Sequence, residues 1–122
     1  MPDLEPLDPS FPIGRQMDID ASPIVLVNLC TMAPEDEAAF LEAWAGDAAF
    51  MKSQPGFIST QLHRALGDSP MYLNYAVFES AAAWRAAFKH PGFKEKVKAH
   101  PASMVARPHL FQKVAVPNLC TA

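Results

Sequence analysis

The sequence predicts an α+β domain of the ferredoxin-like split βαβ type, with elements in the order β-α-β-β-α-β and an antiparallel sheet carrying both helices on one face. Short apolar runs suited to strands recur at residues 24–32, 57–66 and 71–80. Bulky apolar residues return at helical spacing after the first run and again after the third. The second and third runs are separated only by Gly67-Asp68-Ser69-Pro70, which reads as a turn.

Residues 1–22 hold Pro2, Pro6, Pro9 and Pro12 with five acidic residues and one arginine. That composition disfavours regular structure, so the segment reads as a tail, with Phe11-Pro12-Ile13 as a small apolar knot able to pin it down. After Pro23, "IVLVNLCTM" is β-branched and apolar on both faces, as a buried strand should be. "APEDEAAFLEAWAGDAAFMKSQ" then opens with a proline and three acids, the charge a helix N-terminus favours, and sets Phe40, Leu41, Trp44, Ala48 and Met51 on one stripe.

Pro55-Gly56 leads into "FISTQLHRAL", whose alternation puts Phe57, Ser59, Gln61 and His63 on one face and Ile58, Thr60, Leu62 and Arg64 on the other. His63 and Arg64 therefore point opposite ways. "MYLNYAVFES" follows as the hairpin partner. Ser80 is placed to cap "AAAWRAAFKH", Pro91-Gly92 interrupts that helix, and "FKEKVKAH" extends it. "HLFQKVAV", 109–116, reads as the last strand, and 117–122 as a C-terminal tail.

A chain of 122 residues is one domain's worth, and the domain proper spans 23–116. Half the residues are hydrophobic and only 19% are charged, so apolar surface is expected beyond a monomer's core. The first and third strands are apolar on both faces, which implies a covering for the sheet's free face; a second subunit is the economical one. With a net charge of -3 and its basic cluster (Arg85, Lys89, Lys94, Lys96, Lys98) spread along one helical segment, the chain does not look like a nucleic-acid binder. Two dissimilar cysteines, Cys30 and Cys120, make no disulfide framework and suit a cytoplasmic location. The sequence shows no basic leader and no membrane-length apolar stretch.

The runs "PIVLVNLCTMAPEDEAAFLEAWAGDAAFMKSQPGFISTQLHRAL" and "YLNYAVFESAAAWRAAFKHPGF" resemble the antibiotic biosynthesis monooxygenase family, whose members are dimeric α+β barrels. The resemblance covers residues 23–116. It implies a homodimer paired sheet to sheet and a small-molecule pocket between each sheet and its helices. Family members include cofactor-independent oxygenases of polycyclic phenols, haem-degrading and quinol oxygenases, and isomerases of small lactones, so the fold does not settle the task.

Asn28 is a polar residue in an apolar strand, where an unpaired amide costs about 1–3 kcal/mol; it either bonds a neighbouring backbone or meets a ligand oxygen. In the oxygenases that the chain resembles, an asparagine at this place lies in the pocket. Asn74, Ala76 and Phe78 share one face of the third strand, and Phe78 stands where many members carry tryptophan, keeping an aromatic wall but not the indole N–H. The haem-degrading branch places a histidine on the second helix where this chain has Val97; His100 comes three residues later, before Pro101, so the haem ligand is missing.

The histidines show no metal-site spacing, Cys30 has no nucleophile signature, and neither metal nor cofactor is expected. The leading expectation is a cofactor-independent monooxygenase acting on an aromatic, enolisable small molecule. Asn28 would hold the developing oxyanion, His63 or Tyr72 would carry the proton, and Asn74, Phe78 and Trp84 would bind the ring. A non-catalytic ligand-binding dimer and a cofactor-free isomerase or cyclase are the alternatives.

Overall fold

The computed structural model describes residues 3–122. In chain order they form β1 (Asp3–Leu4), α1 (Ile13–Gln16), β2 (Ile24–Thr31), α2 (Glu37–Lys52), β3 (Phe57–Arg64), β4 (Met71–Phe78), α3 (Ala81–Lys89), α4 (Pro91–Val97) and β5 (Val105–Phe111). The strands make one sheet in the order β1-β5-β2-β4-β3. The expected α+β architecture is present, with β1 added at one edge.

The apolar, β-branched β2, suited to burial from both sides, lies at the centre of the sheet. It pairs antiparallel with β4 from Ile24↔Phe78 to Thr31↔Met71, and with β5 from Val25↔Phe111 to Thr31↔Val105. This register puts Ile24, Leu26, Asn28 and Cys30 beside Phe78, Ala76, Asn74 and Tyr72 on the face that meets the helices. One core cluster there joins Ile24, Leu26, Ala76 and Phe78 to Ala81, Trp84 and Ala87 of α3. A second joins Cys30 and Tyr72 to Phe40 of α2.

The helices start and stop where side-chain chemistry requires. Pro34, Glu35 and Asp36 form a 3-10 turn ahead of α2, placing negative charge at its positive end. Phe40 is fully buried, whereas Leu41, expected on the same stripe, is exposed, because one residue further round the helix turns it away from the sheet. The Ser80 hydroxyl accepts from the Ala83 N–H at 3.0 Å and caps α3. Pro91 forces His90 out of helical geometry (ψ 135°), ending α3, and α4 restarts with the His90 ring accepting from the Gly92 N–H at 2.8 Å.

Three expectations are corrected. The described part of the N-terminal segment is ordered against its own domain: β1 runs parallel to β5 (Asp3↔Val105, Leu4↔Ala106), and Met17 joins the core. Gln16 anchors it, accepting from the Leu110 N–H at 2.7 Å and donating to the Phe11 carbonyl at 2.8 Å. Pro6, Pro9 and Pro12 limit the strand pairing of this segment to β1, and Gln16 side-chain bonds hold its later part to the sheet.

The last strand is Val105–Phe111 rather than 109–116. Pro108 is tolerated in it because the neighbouring Ala106 and Leu110 turn their backbone groups to the β1 and Gln16 side, so the missing N–H lies off the β2 ladder.

In β3 a bulge between Phe57 and Ser59 inverts the expected faces: Phe57 pairs with Phe78, Ser59 with Val77 and Thr60 with Ala76. Phe57 and Thr60 thus share the helix-side face. The strand begins under α3 at Gly56 (φ 87°), where a Cβ would lie 2.6 Å from the Ala83 Cβ. Only glycine fits that entry.

Candidate functional site

A cavity of about 460 Å³ lies between the helix-side face of the sheet and α2, α3 and α4, within the usual size of a ligand pocket. Its wall is mostly apolar, with Leu26, Ala76 and Phe78 from the sheet and Trp44, Trp84 and Phe88 from the helices. Leu4 of β1 also lines it, so the N-terminal segment contributes to the wall. The polar lining comes from Asn28, Asp47, Thr60, Asn74, Lys94 and His100.

Strand register brings Asn28 and Asn74 directly opposite one another on the cavity face. Such partners hold their Cβ atoms about 5 Å apart. The Thr60 hydroxyl donates to Asn74 Oδ1 at 2.6 Å, which turns the Asn74 NH2 group into the free donor. The Asn28 Oδ1 is buried and has no protein partner. Together they form two adjacent carboxamides with unused hydrogen-bonding capacity on an apolar floor.

Four buried side-chain polar atoms lack a partner among the described residues: Asn28 Oδ1, Asp47 Oδ1, Trp84 Nε1 and His100 Nδ1. All four residues line this cavity. The polar groups that the protein itself leaves unmatched are thus grouped in the wall of one cavity.

Of the residues expected at a site, Asn28, Asn74, Phe78 and Trp84 meet at the cavity. His63 and Tyr72 do not line it. The His63 side chain is on the exposed end of β3, with Nδ1 3.3 Å from the Leu73 carbonyl. Tyr72 is on the helix-side face but beyond the cavity, where its hydroxyl donates to Glu37 Oε1 at 2.8 Å. Arg64 donates to the same carboxylate at 2.8 and 3.2 Å, tying α2 to the β3-β4 hairpin.

Burial, and then the hydrogen bond to Glu37, hold the Tyr72 phenol above its ordinary pKa. The Arg64 and Tyr72 hydrogen bonds hold the Glu37 carboxyl below its ordinary value of 4.5. A carboxyl depressed in the folded state adds stability above its unfolded pKa, and that increment is lost as pH falls through the folded pKa. Urea midpoints should therefore favour the native protein over Glu37→Gln near neutrality, and the gap should close as pH drops below about 4.5. A gap independent of pH would show that the Glu37 charge contributes nothing.

Thr60, Asp47 and His100 line the cavity although none of them is among the expected site residues. Thr60 was hidden by the bulge. Asp47 left a trace: it falls on the apolar stripe of α2 between Trp44 and Ala48, where a solvent-facing acid does not belong. His100, just after α4, left none, because its partner is 53 residues away. His100 Nε2 and Asp47 Oδ2 are 2.5 Å apart, and the two side chains are 2% and 15% exposed. Burial, and secondarily the charge of Asp47, push the Cys30 thiol up to about 12, which makes it a poor nucleophile.

Residues 23–99 match the family model for antibiotic biosynthesis monooxygenases. The chain belongs to this family. Among relatives, deoxynogalonate monooxygenase of Streptomyces nogalater is 36% identical over 75 residues, which cover 62% of this chain and 63% of that protein. The crystal structure of SnoaB, a cofactor-independent oxygenase from Streptomyces nogalater, is similar with a TM-score of 0.70 and 32% identity, covering 80% of this chain and 99% of that one. A Shewanella loihica protein at 23% identity shares the fold, with a TM-score of 0.68 over 80% of this chain and 99% of its own. Within the antibiotic biosynthesis monooxygenase domain, no helix of the described residues is long and apolar enough to cross a membrane. Nor do those residues gather three or more His, Cys, Asp or Glu side chains that could hold a metal ion.

Proposed function

We propose that the protein is a cofactor-independent monooxygenase that oxidises an aromatic, enolisable small molecule of anthrone or quinol type. The observation that carries this reading is the pair of register-matched carboxamides, Asn28 and Asn74, in an otherwise apolar cavity. The relationship to an oxygenase described as cofactor-independent supports it.

A ring ketone whose CH2 is conjugated to it through the fused aromatic rings, as in an anthrone, supplies its own electrons. Loss of one proton leaves an enolate whose electrons pass to O2. A carbon–oxygen bond forms, the O–O bond breaks, and the CH2 becomes C=O while its two hydrogens leave with the second oxygen as water. The protein then needs to hold the flat ring, exclude water and stabilise the enolate oxygen. Phe78 and Trp84 offer the aromatic wall, and the amide N–H groups of Asn74 and Asn28 the hydrogen bonds. The Trp84 indole N–H also has no protein partner, and Trp84 lines the cavity.

Oxygen-electrode traces with anthrone and simple quinols test the reading. One O2 should be consumed per anthrone CH2 oxidised to C=O, or per quinol converted to hydroxyquinone and water; no uptake above a boiled control would rule out these substrates. The same reading includes a homodimer. The sheet face away from the helices carries Val27, Leu29, Leu73 and Tyr75, paired in register and half-buried, with Ile58 and Phe111 exposed at its margins. A second copy placed face to face would cover it.

A further inference from the structure

Chemistry that begins with removal of a proton needs an acceptor on the cavity wall, and His63 and Tyr72 lie elsewhere. We propose that the buried Asp47–His100 pair is that acceptor, with His100 the catalytic base and Asp47 the residue that positions it. The inference deepens the oxygenase reading by naming its base, and it rests on the cavity being the substrate site.

The geometry dictates the division of roles. An ionised carboxylate only accepts hydrogen bonds, so the imidazole Nε2–H donates to Asp47 Oδ2. In the neutral ring that leaves the lone pair on Nδ1, and Nδ1 has no protein partner. The ring is held from one side by Asp47 and packs beside Phe40, with centroids 5.6 Å apart. A fixed tautomer and an unused lone pair are two of the things general-base catalysis requires; the third, reach to the substrate, rests on His100 lining the cavity. The other basic group on the wall, Lys94, is solvent-exposed.

In the proposed step the substrate C–H bond breaks and an N–H bond forms at His100 Nδ1. The bonding electron pair stays on the substrate as an enolate, and the imidazolium is balanced by the Asp47 carboxylate. No oxidant is consumed in this step. Proton removal can therefore be read without oxygenation.

The test is hydrogen–deuterium exchange at the ring CH2 of anthrone, followed by NMR in anaerobic deuterated buffer. The native protein should accelerate exchange over buffer. His100→Ala should lower that acceleration about 100-fold, the scale of a lost general base, and His100→Gln should do the same. Asp47→Asn, which can no longer dictate the tautomer, should also lower it. Anthrone affinity, read from tryptophan fluorescence, should stay within a few-fold, and imidazole added to His100→Ala should restore part of the exchange. Native protein no faster than buffer would overturn the assignment. So would His100→Ala and His100→Gln variants that exchange like the native protein. Loss of exchange together with affinity and without imidazole rescue would make the pair structural and overturn it too. Catalysed exchange with no oxygen consumption would keep the base and remove the oxygenase reading, whereas oxygen consumption with exchange unaffected by His100 would do the reverse.

Discussion

Asn28→Leu is expected to yield a protein that is more stable and far less active. The Asn28 Oδ1 is buried without a partner, so replacing the amide with an apolar side chain removes an unmet polar group worth about 1–3 kcal/mol. The cavity beside it has room for the added methyl groups. In a domain of this size that corresponds to a rise in Tm of roughly 4 °C or more. Deleting one preorganised donor to a developing oxyanion lowers turnover about 100-fold or more. Calorimetry and oxygen uptake on the same sample read both effects. A fall in Tm with turnover intact would make Asn28 a structural amide instead. Opposite signs for stability and rate are what a site residue produces, because a protein places polar groups badly for itself where they are well placed for a substrate.

Val27→Asp is expected to convert a dimer into a folded monomer. Val27 pairs with Tyr75 at the middle of the helix-free sheet face, where the proposed second copy would bury it. An unpaired carboxylate inside an apolar interface costs several kcal/mol, whereas on a solvated sheet face it costs little. Light scattering should give the native protein about twice its 13.3 kDa chain mass, and the variant one chain mass with an unchanged circular-dichroism spectrum. A native protein that runs as a monomer would contradict the pairing, and a dimeric variant would move it to another surface.

Both predictions rest on strand faces, and faces were only partly legible in the sequence. Alternation in β4 was read correctly because the strand is regular, so Asn74, Ala76 and Phe78 fall on the cavity side as their spacing required. The same rule failed in β3, where one extra residue at the bulge reverses the faces before it relative to those after it. The reading that His63 and Arg64 point opposite ways survives, since both follow the bulge. His63 has no part in the cavity, and Arg64 serves the Glu37–Tyr72 tie.

Local chemistry was enough for the elements that local chemistry controls. Proline and glycine placed the corners, Ser80 placed a cap, and β-branched runs marked the central strand, because each of those effects acts over a few neighbouring residues. Only the Phe11-Pro12-Ile13 knot pointed to the ordering of the N-terminal segment; its main anchor was not visible, since Gln16 is held by the Leu110 N–H, 94 residues away. The Asp47–His100 pair was not visible either, because its parts come from α2 and the chain after α4 and meet only when both helices pack over the sheet. Composition and periodicity thus dictated the three strands β2, β3 and β4, the helices packed on them and the apolar floor. Packing decided which polar groups were sealed in without partners, since burial and hydrogen bonding between distant segments exist only once the chain has closed on itself.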